Sequence, residues 1–154
     1  MANADAKRIW KTAPNAGTGS YVIKNDVQLY EGQLVQLDAN GYLDHYTEAT
    51  GLFLGILKSG DSRLGDGVIV GETSDAKPPE GQVDQSGVTL MHMAVGSATQ
   101  ASVGDPVYCD DSDTANLTVT ATAAAKKIGY VVRFRTASDC DVRLYTPAEY
   151  NGDN

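Results

Sequence analysis

Hydrophobic residues alternate most cleanly along residues 128–135. Ile128, Tyr130, Val132 and Phe134 fall on one side, and Gly129, Val131, Arg133 and Arg135 on the other. Successive side chains of an extended strand point to opposite faces, so this spacing predicts a strand with one face in the core and one towards solvent or a partner. Val142-Arg143-Leu144-Tyr145, after a turn at Ser138-Asp139-Cys140, is expected to pair with it antiparallel. Residues 51–57, Gly-Leu-Phe-Leu-Gly-Ile-Leu, are apolar on both faces, short and bounded by Gly. That pattern reads as a central strand covered on both sides rather than a helix. Residues 88–95 also have two largely apolar faces, which predicts cover on both. Residues 21–30 read as a strand broken by a turn at Asn25-Asp26, and residues 33–37 as a strand with Val35 and Leu37 on one face. Residues 42–46 return after Asp38-Ala39-Asn40-Gly41, where Asn-Gly favours the positive φ of a tight hairpin.

Two stretches share one layout. In residues 30–58 and again in residues 103–134, an acidic residue beside Gly (Glu31-Gly32; Gly104-Asp105) leads into a strand centred on Val35 or Val107 and ending in Asp38 or Asp110. A polar segment follows, Thr-rich in the second copy, and then Leu54-Gly55-Ile56 or Ile128-Gly129-Tyr130 opens an apolar strand. The pair is expected to form the skeleton of one β-domain. Between them, residues 59–85 are turn-rich around a short strand at Val68-Ile69-Val70. Pro78-Pro79 cannot donate to a ladder, which predicts an exposed loop.

Composition supports this reading. A chain of 154 residues suits one domain with an ordinary core, and its 16 Gly, 8 Tyr and many Val and Thr point to an all-β protein. Charged residues make up 21%, an ordinary globular share that argues against disorder in the body. The formal net charge of −8 argues against nucleic acid as a partner, because phosphate binding needs clustered Lys and Arg. No run approaches the roughly 20 apolar residues that cross a bilayer, so no membrane partner is expected. Residues 1–11 hold no apolar stretch of a secretory signal, which predicts synthesis in a cytoplasm where Cys109 and Cys140 stay reduced. Their connectivity is not readable from spacing.

Candidate chemistry is sparse. Asp110, Asp111 and Asp113 form an acidic cluster, but Ala115 and Asn116 follow where a calcium loop needs Gly, and no closing Glu arrives. A solvated turn is the expected reading. His92 beside Met91 and Met93 has no second His or Cys at ligand spacing, so it is expected to be a buried or half-buried His with a satisfied ring; His45 reads as a strand-end polar group. No Gly-x-Ser-x-Gly elbow, nucleophilic Cys context or phosphate loop is present, and neither an enzyme nor a cofactor or metal is expected. Residues 1–20 stand apart: Lys7, Arg8 and Lys11 surround Ile9 and Trp10, and a Pro/Gly/Asn/Ser hinge follows. They are either a frayed terminus or an arm that docks elsewhere, since burying one Trp ring contributes on the order of 2–3 kcal/mol.

Gly104-Asp105-Pro106-Val107-Tyr108, Leu117-Thr118-Val119-Thr120-Ala121-Thr122, Ile128-Gly129-Tyr130-Val131, Val142-Arg143-Leu144 and the earlier 51–56 strand together resemble the capsid cement (decoration) proteins of tailed bacteriophages. The resemblance spans about two thirds of the chain and leaves out the 7–11 arm and the Pro78-Pro79 loop. It implies a compact β-barrel or sandwich of β-tulip or jelly-roll type at residues 21–147, between an extended arm (1–20) and a polar tail (148–154). It also implies a homotrimer without catalytic residues. Such a trimer would sit on the outer surface of the head at three-fold positions and bind the major capsid protein, with Lys7, Arg8, Ile9, Trp10 and Lys11 as the binding arm. The alternative is a virion surface adhesion module that binds host glycan or protein through Tyr42, Tyr46, Tyr108 and Tyr145.

Overall fold

The computed structural model describes residues 17–47, 51–60, 68–109, 111–121 and 126–154. In chain order they form β1 (Thr18–Val22), β2 (Gln28–Tyr30), β3 (Leu34–Leu37), β4 (Leu43–His45), β5 (Leu52–Gly60) and β6 (Val68–Val70). There follow β7 (Glu80–Asp84), β8 (Thr89–Met93), β9 (Pro106–Cys109), β10 (Lys126–Thr136), β11 (Asp139–Leu144) and a short helix α1 (Pro147–Asp153). A five-stranded sheet runs β1-β7-β5-β3-β4, a four-stranded sheet β8-β11-β10-β9, and β2 and β6 form a ribbon. The ladders between these strands are antiparallel. The fold is all-β, and the sheets form a sandwich rather than a closed barrel. The residues expected as an arm end earlier than Ser20, because Thr18 already pairs with Asp84 of β7.

Alternation along β3 and β5 decides the layering. Leu34 and Phe53 turn to one side, into a core with Val107, Ile128, Val131, Val142 and Leu144 of the four-stranded sheet. Val35, Leu54 and Leu57 turn to the other, into a second core with Leu29 and Ile69 of the ribbon and Ile23, Leu43 and Val83. The five-stranded sheet is therefore the middle layer, and β5 is covered on both faces as its apolar sequence requires. The sheet curls until Ile23, just past β1, bridges Leu43 of the far edge, with Lys24 N–H donating to Leu43 O at 2.9 Å.

The repeated layout is real in three dimensions. Val35 pairs with Gly55 and Val107 with Gly129, each beside a shift in ladder register. A Cβ on Gly55 would lie 2.1 Å from Asp84 O of β7, and one on Gly129 would lie 2.2 Å from Arg143 O of β11. Only a residue without a side chain lets the third strand of each unit come so close.

Several expectations are corrected. Bulges in β10 break the simple alternation: Ile128 and Val131 are both buried, whereas Val132, expected in the core, is 38% exposed. Asp139 and Cys140 belong to β11, because Thr136 pairs with Asp139 across an Ala137-Ser138 turn. The described part of the Thr-rich segment is not a strand. It is a 3₁₀ turn (Thr114–Asn116) leading to buried Leu117, with one isolated bridging residue, Thr118, whose hydroxyl donates to Gly96 O at 3.1 Å. Pro79 is buried, and its carbonyl accepts from Ile23 N–H at 3.1 Å. The following residues form β7, which joins β1 to β5. Residues 88–95 were expected to be covered twice, but β8 is an edge strand, and Met91 is 59% exposed.

The expected polar tail forms α1. Thr146 accepts from Glu149 N–H and Glu149 returns to Thr146 N–H, a capping box with Pro in the first turn. Its Tyr150 is buried against Tyr46 and Phe53, with ring centroids 6.1 and 5.3 Å away. The Asn154 side chain closes the end by bonding Lys127 N–H and C=O, both at 2.9 Å.

Gly129→Ala is expected to cost on the order of 3 kcal/mol in denaturant unfolding, through its clash with the Arg143 carbonyl. Tyr150→Ala is expected to cost about 3 kcal/mol by removing a buried ring.

Candidate interaction surfaces

The outer face of the four-stranded sheet carries its densest polar network. Along β11, Cys140, Val142 and Leu144 point into the core, which leaves Asp139, Asp141 and Arg143 facing outward. The Arg135 guanidinium grips Asp141 through two bonds of 2.9 and 3.0 Å and reaches Asp139 at 3.0 Å. This fork geometry holds the Asp141 carboxyl below the usual carboxylate range, aided by the His92 backbone N–H at 3.2 Å. His92 sits at φ 58° where β8 bulges opposite Asp141, and its Nδ1 lies 2.9 Å from Asp139 Oδ1. That hydrogen bond is the largest cause of the lowered Asp139 pKa. The His92 ring is thus partnered as expected, but it is exposed rather than buried, because the bulge turns it outward. Exposed Met91, Val132 and Arg133 flank the network.

A second network ties α1 to the sheet. Arg143 donates to both Glu149 oxygens at 2.9 and 3.1 Å while its guanidinium lies 5.6 Å from the Tyr130 ring centre. Arg143 first, and the Thr146 N–H second, hold Glu149 down to about 2. Tyr145 donates to Asp153, and burial pushes its hydroxyl pKa up.

Two further features lie elsewhere. Tyr30 and Val70 are exposed on the outer side of the β2–β6 ribbon. A cleft of about 510 Å³ opens over β1 and β7.

Of the residues singled out from sequence, Lys7, Arg8, Ile9, Trp10, Lys11 and Asp110 lie outside the described residues. Asp111 and Asp113 take turn roles: Asp111 accepts from Asp113 N–H at 2.9 Å and Asp113 from Ala115 N–H at 2.9 Å. Among the described residues no group of three or more His, Cys, Asp or Glu is placed to hold a metal ion. His45 ends β4, with Nδ1 buried and unpartnered. Tyr46 and Tyr145 are buried, which removes two of the four tyrosines expected to stack on a glycan. Cys109 and Cys140 are not joined in a disulfide and are buried in the same core. They lie on β9 and β11 with β10 between them, opposite Lys126 and Phe134 respectively, too far apart to bridge. The Arg135–Asp141 and Arg143–Glu149 pairs were not anticipated. The charges at 139, 141 and 143, spaced by two, were the available signal for them.

No protein-family model matches the chain, and no curated protein does. Among solved structures, the chain is similar to one described as the capsid of Myoviridae phage XM1. Identity is 25% and the TM-score 0.52, over 94% of this chain and 98% of the other.

The pH dependence of stability follows from Glu149. Its folded pKa of about 2 lies below the usual 4.5, so the stabilisation is present above about pH 4.5 and is lost as pH falls towards 2. Because Glu149 is 41% exposed the effect is modest. Thermal melts of Glu149→Gln are expected to lie below wild type at pH 7 and to converge with it near pH 2.

Proposed function

We propose that the chain is a virion structural protein, and within that class a capsid cement protein. It binds the outer surface of a phage head as trimers at three-fold positions and stabilises the shell against the pressure of packaged DNA. The observation that carries this reading is the likeness to a chain of a phage capsid across nearly the full length of both, which makes the two chains comparable in size. The Gly-Asp-Pro-Val-Tyr and Ile-Gly-Tyr-Val motifs support the cement assignment within that class.

The physics of clamping suits such a chain. Three modest contacts on one trimer act together, because once one arm is bound the others meet their sites at high effective concentration. Lys7, Arg8 and Lys11 supply charge opposite to the acidic body, and Trp10 supplies a large apolar anchor for a pocket or exposed strand edge on the major capsid protein. Rigidity comes from the double-sided packing of β5, which lets a small body transmit load between capsomers without a change of shape.

Sedimentation equilibrium is expected to give a mass three times that of the 16.3 kDa chain. Purified protein added to particles that lack it is expected to appear in hundreds of copies at three-fold positions on imaging and to raise the temperature at which the particles release DNA. A handful of copies at one vertex would point instead to the adhesion role. Removing residues 1–16, which leaves β1 whole, is expected to abolish occupancy; unchanged occupancy would sink the arm assignment.

A further inference from the structure

Asn-Gly occurs twice in the chain, at residues 40–41 and 151–152. In this dipeptide the Gly nitrogen reaches the carbon of the preceding side-chain amide with no side chain of its own in the way. The fold holds the two copies differently.

Asn40-Gly41 lies at the tip of the hairpin between β3 and β4. Both residues are exposed, and Gly41 stands at φ 82° with nothing within 4 Å of the position a Cβ would take. Asp38 holds the turn: its Oδ1 accepts from Asn40 N–H at 2.8 Å and from Tyr42 N–H at 3.0 Å, and its own N–H donates to Tyr42 O at 2.9 Å. Gly41 N–H bonds to Asp38 O at 3.1 Å, at the surface, where water replaces such a bond at little cost. The Asn40 side chain takes no part in these bonds and can turn its amide towards Gly41 N.

Asn151-Gly152 lies within α1. Both residues are exposed there too, and nothing lies within 4 Å of a Cβ placed on Gly152, so access does not separate the two sites. Conformation does. Closing a five-membered ring between Asn Cγ and the next nitrogen turns the backbone out of the helical ψ of about −42°, so the helix must open first. On one side of the dipeptide Tyr150 is buried, and on the other Asp153 accepts from Tyr145. The Asn154 side chain bonds Lys127 N–H and C=O, so the end of α1 is held shut.

We propose that Asn40 is a site of spontaneous covalent modification to an aspartyl or β-linked isoaspartyl residue, and that α1 protects Asn151 from the same change. Gly41 N attacks Asn40 Cγ, and the new N–Cγ bond closes a succinimide. The Cγ–Nδ2 bond breaks, and Nδ2 leaves as ammonia with the proton that Gly41 N gives up. Water, the one co-reactant, then opens the ring. Cleavage of the new N–Cγ bond leaves aspartate at residue 40; cleavage of the bond from Gly41 N to the residue 40 backbone carbonyl leaves the chain running through the side chain, one atom longer. Either product adds a carboxylate beside a hollow that Lys24, Leu37 and Asp38 also line. The pairs from Val35↔His45 to Leu37↔Leu43 lie below the tip, so the product stays folded. In an assembled particle, whose copies are not replaced, the surface grows more acidic with age. That consequence rests on the virion reading above; the modification itself does not.

Incubating the purified chain at neutral pH, then resolving it by isoelectric focusing and its peptides by tandem mass spectrometry, tests this. The expected result is an acidic band that grows with time, with conversion at Asn40 several-fold ahead of Asn151 and isoaspartate present at residue 40. Denaturant is expected to close the gap between the two sites. Asn40→Gln, at an exposed position, is expected to remove the early acidic band while circular dichroism stays native, and Asn151→Gln to leave that band in place. Conversion at Asn151 that keeps pace in the folded chain overturns the proposal, as does an Asn40 that stays an amide, or an early band that survives Asn40→Gln. A gap that persists in denaturant also overturns it, by assigning the difference to the neighbouring residues rather than to the fold. None of these outcomes involves a capsid, so the modification and the virion reading can fail separately.

Discussion

The two three-strand units depend on close passages of one backbone against another, at Gly55 and at Gly129. In each three-strand unit, β3-β5-β7 and β9-β10-β11, the central strand carries its glycine where a carbonyl of the outer strand occupies the space a side chain would need. The shift in register beside each glycine follows from the same crowding, and on β5 it lets Phe53 and Ile56 face one core while Leu54 and Leu57 face the other. A chain of this size thereby fills two cores from one sheet, with no cross-link among the described residues to help hold them.

Charge is distributed by role. Where the described cations pair closely they do so on the outer face of β11 and at the sheet edge: Arg135 with Asp141, Arg143 with Glu149, and Lys24 with Asp44 at 2.8 Å. Each fixes a junction beside the apolar packing: β10 to β11, α1 to the sheet, and the chain after β1 to β4. The formal net charge of −8 leaves an excess of acid over these pairs.

Much of the fold was legible in sequence where burial is one-sided or complete. The apolar run at 51–57, the Asp38–Gly41 hairpin with Gly41 at φ 82°, and the β10–β11 pairing all follow from pattern and turn chemistry. β7 was hidden because its five residues offer one large apolar side chain, Val83; its other inward position is Gly81, kept small because Leu43 Cδ2 would lie 2.6 Å from a Cβ. The helix was hidden because one buried residue, Tyr150, gives no periodicity to read. Bulges defeated the assignments for Val132 and His92, since an extra residue reverses facing without leaving a mark in composition. The interaction surfaces were less legible still, because an ion pair across strands is set by register, which alternation does not encode.

The two thiols carry a last consequence. Cys109 donates to Asp111 O at 3.2 Å and Cys140 to Thr136 O at 3.1 Å, both within the core and out of reach of one another. Burial pushes the Cys140 thiol up, away from the reactive thiolate. A protein made in a reducing cell and then carried into air crosses a large step in redox potential. Such a step adds no bond between the two cysteines of this chain, because they are held apart in the core, so the fold does not depend on the redox potential around it.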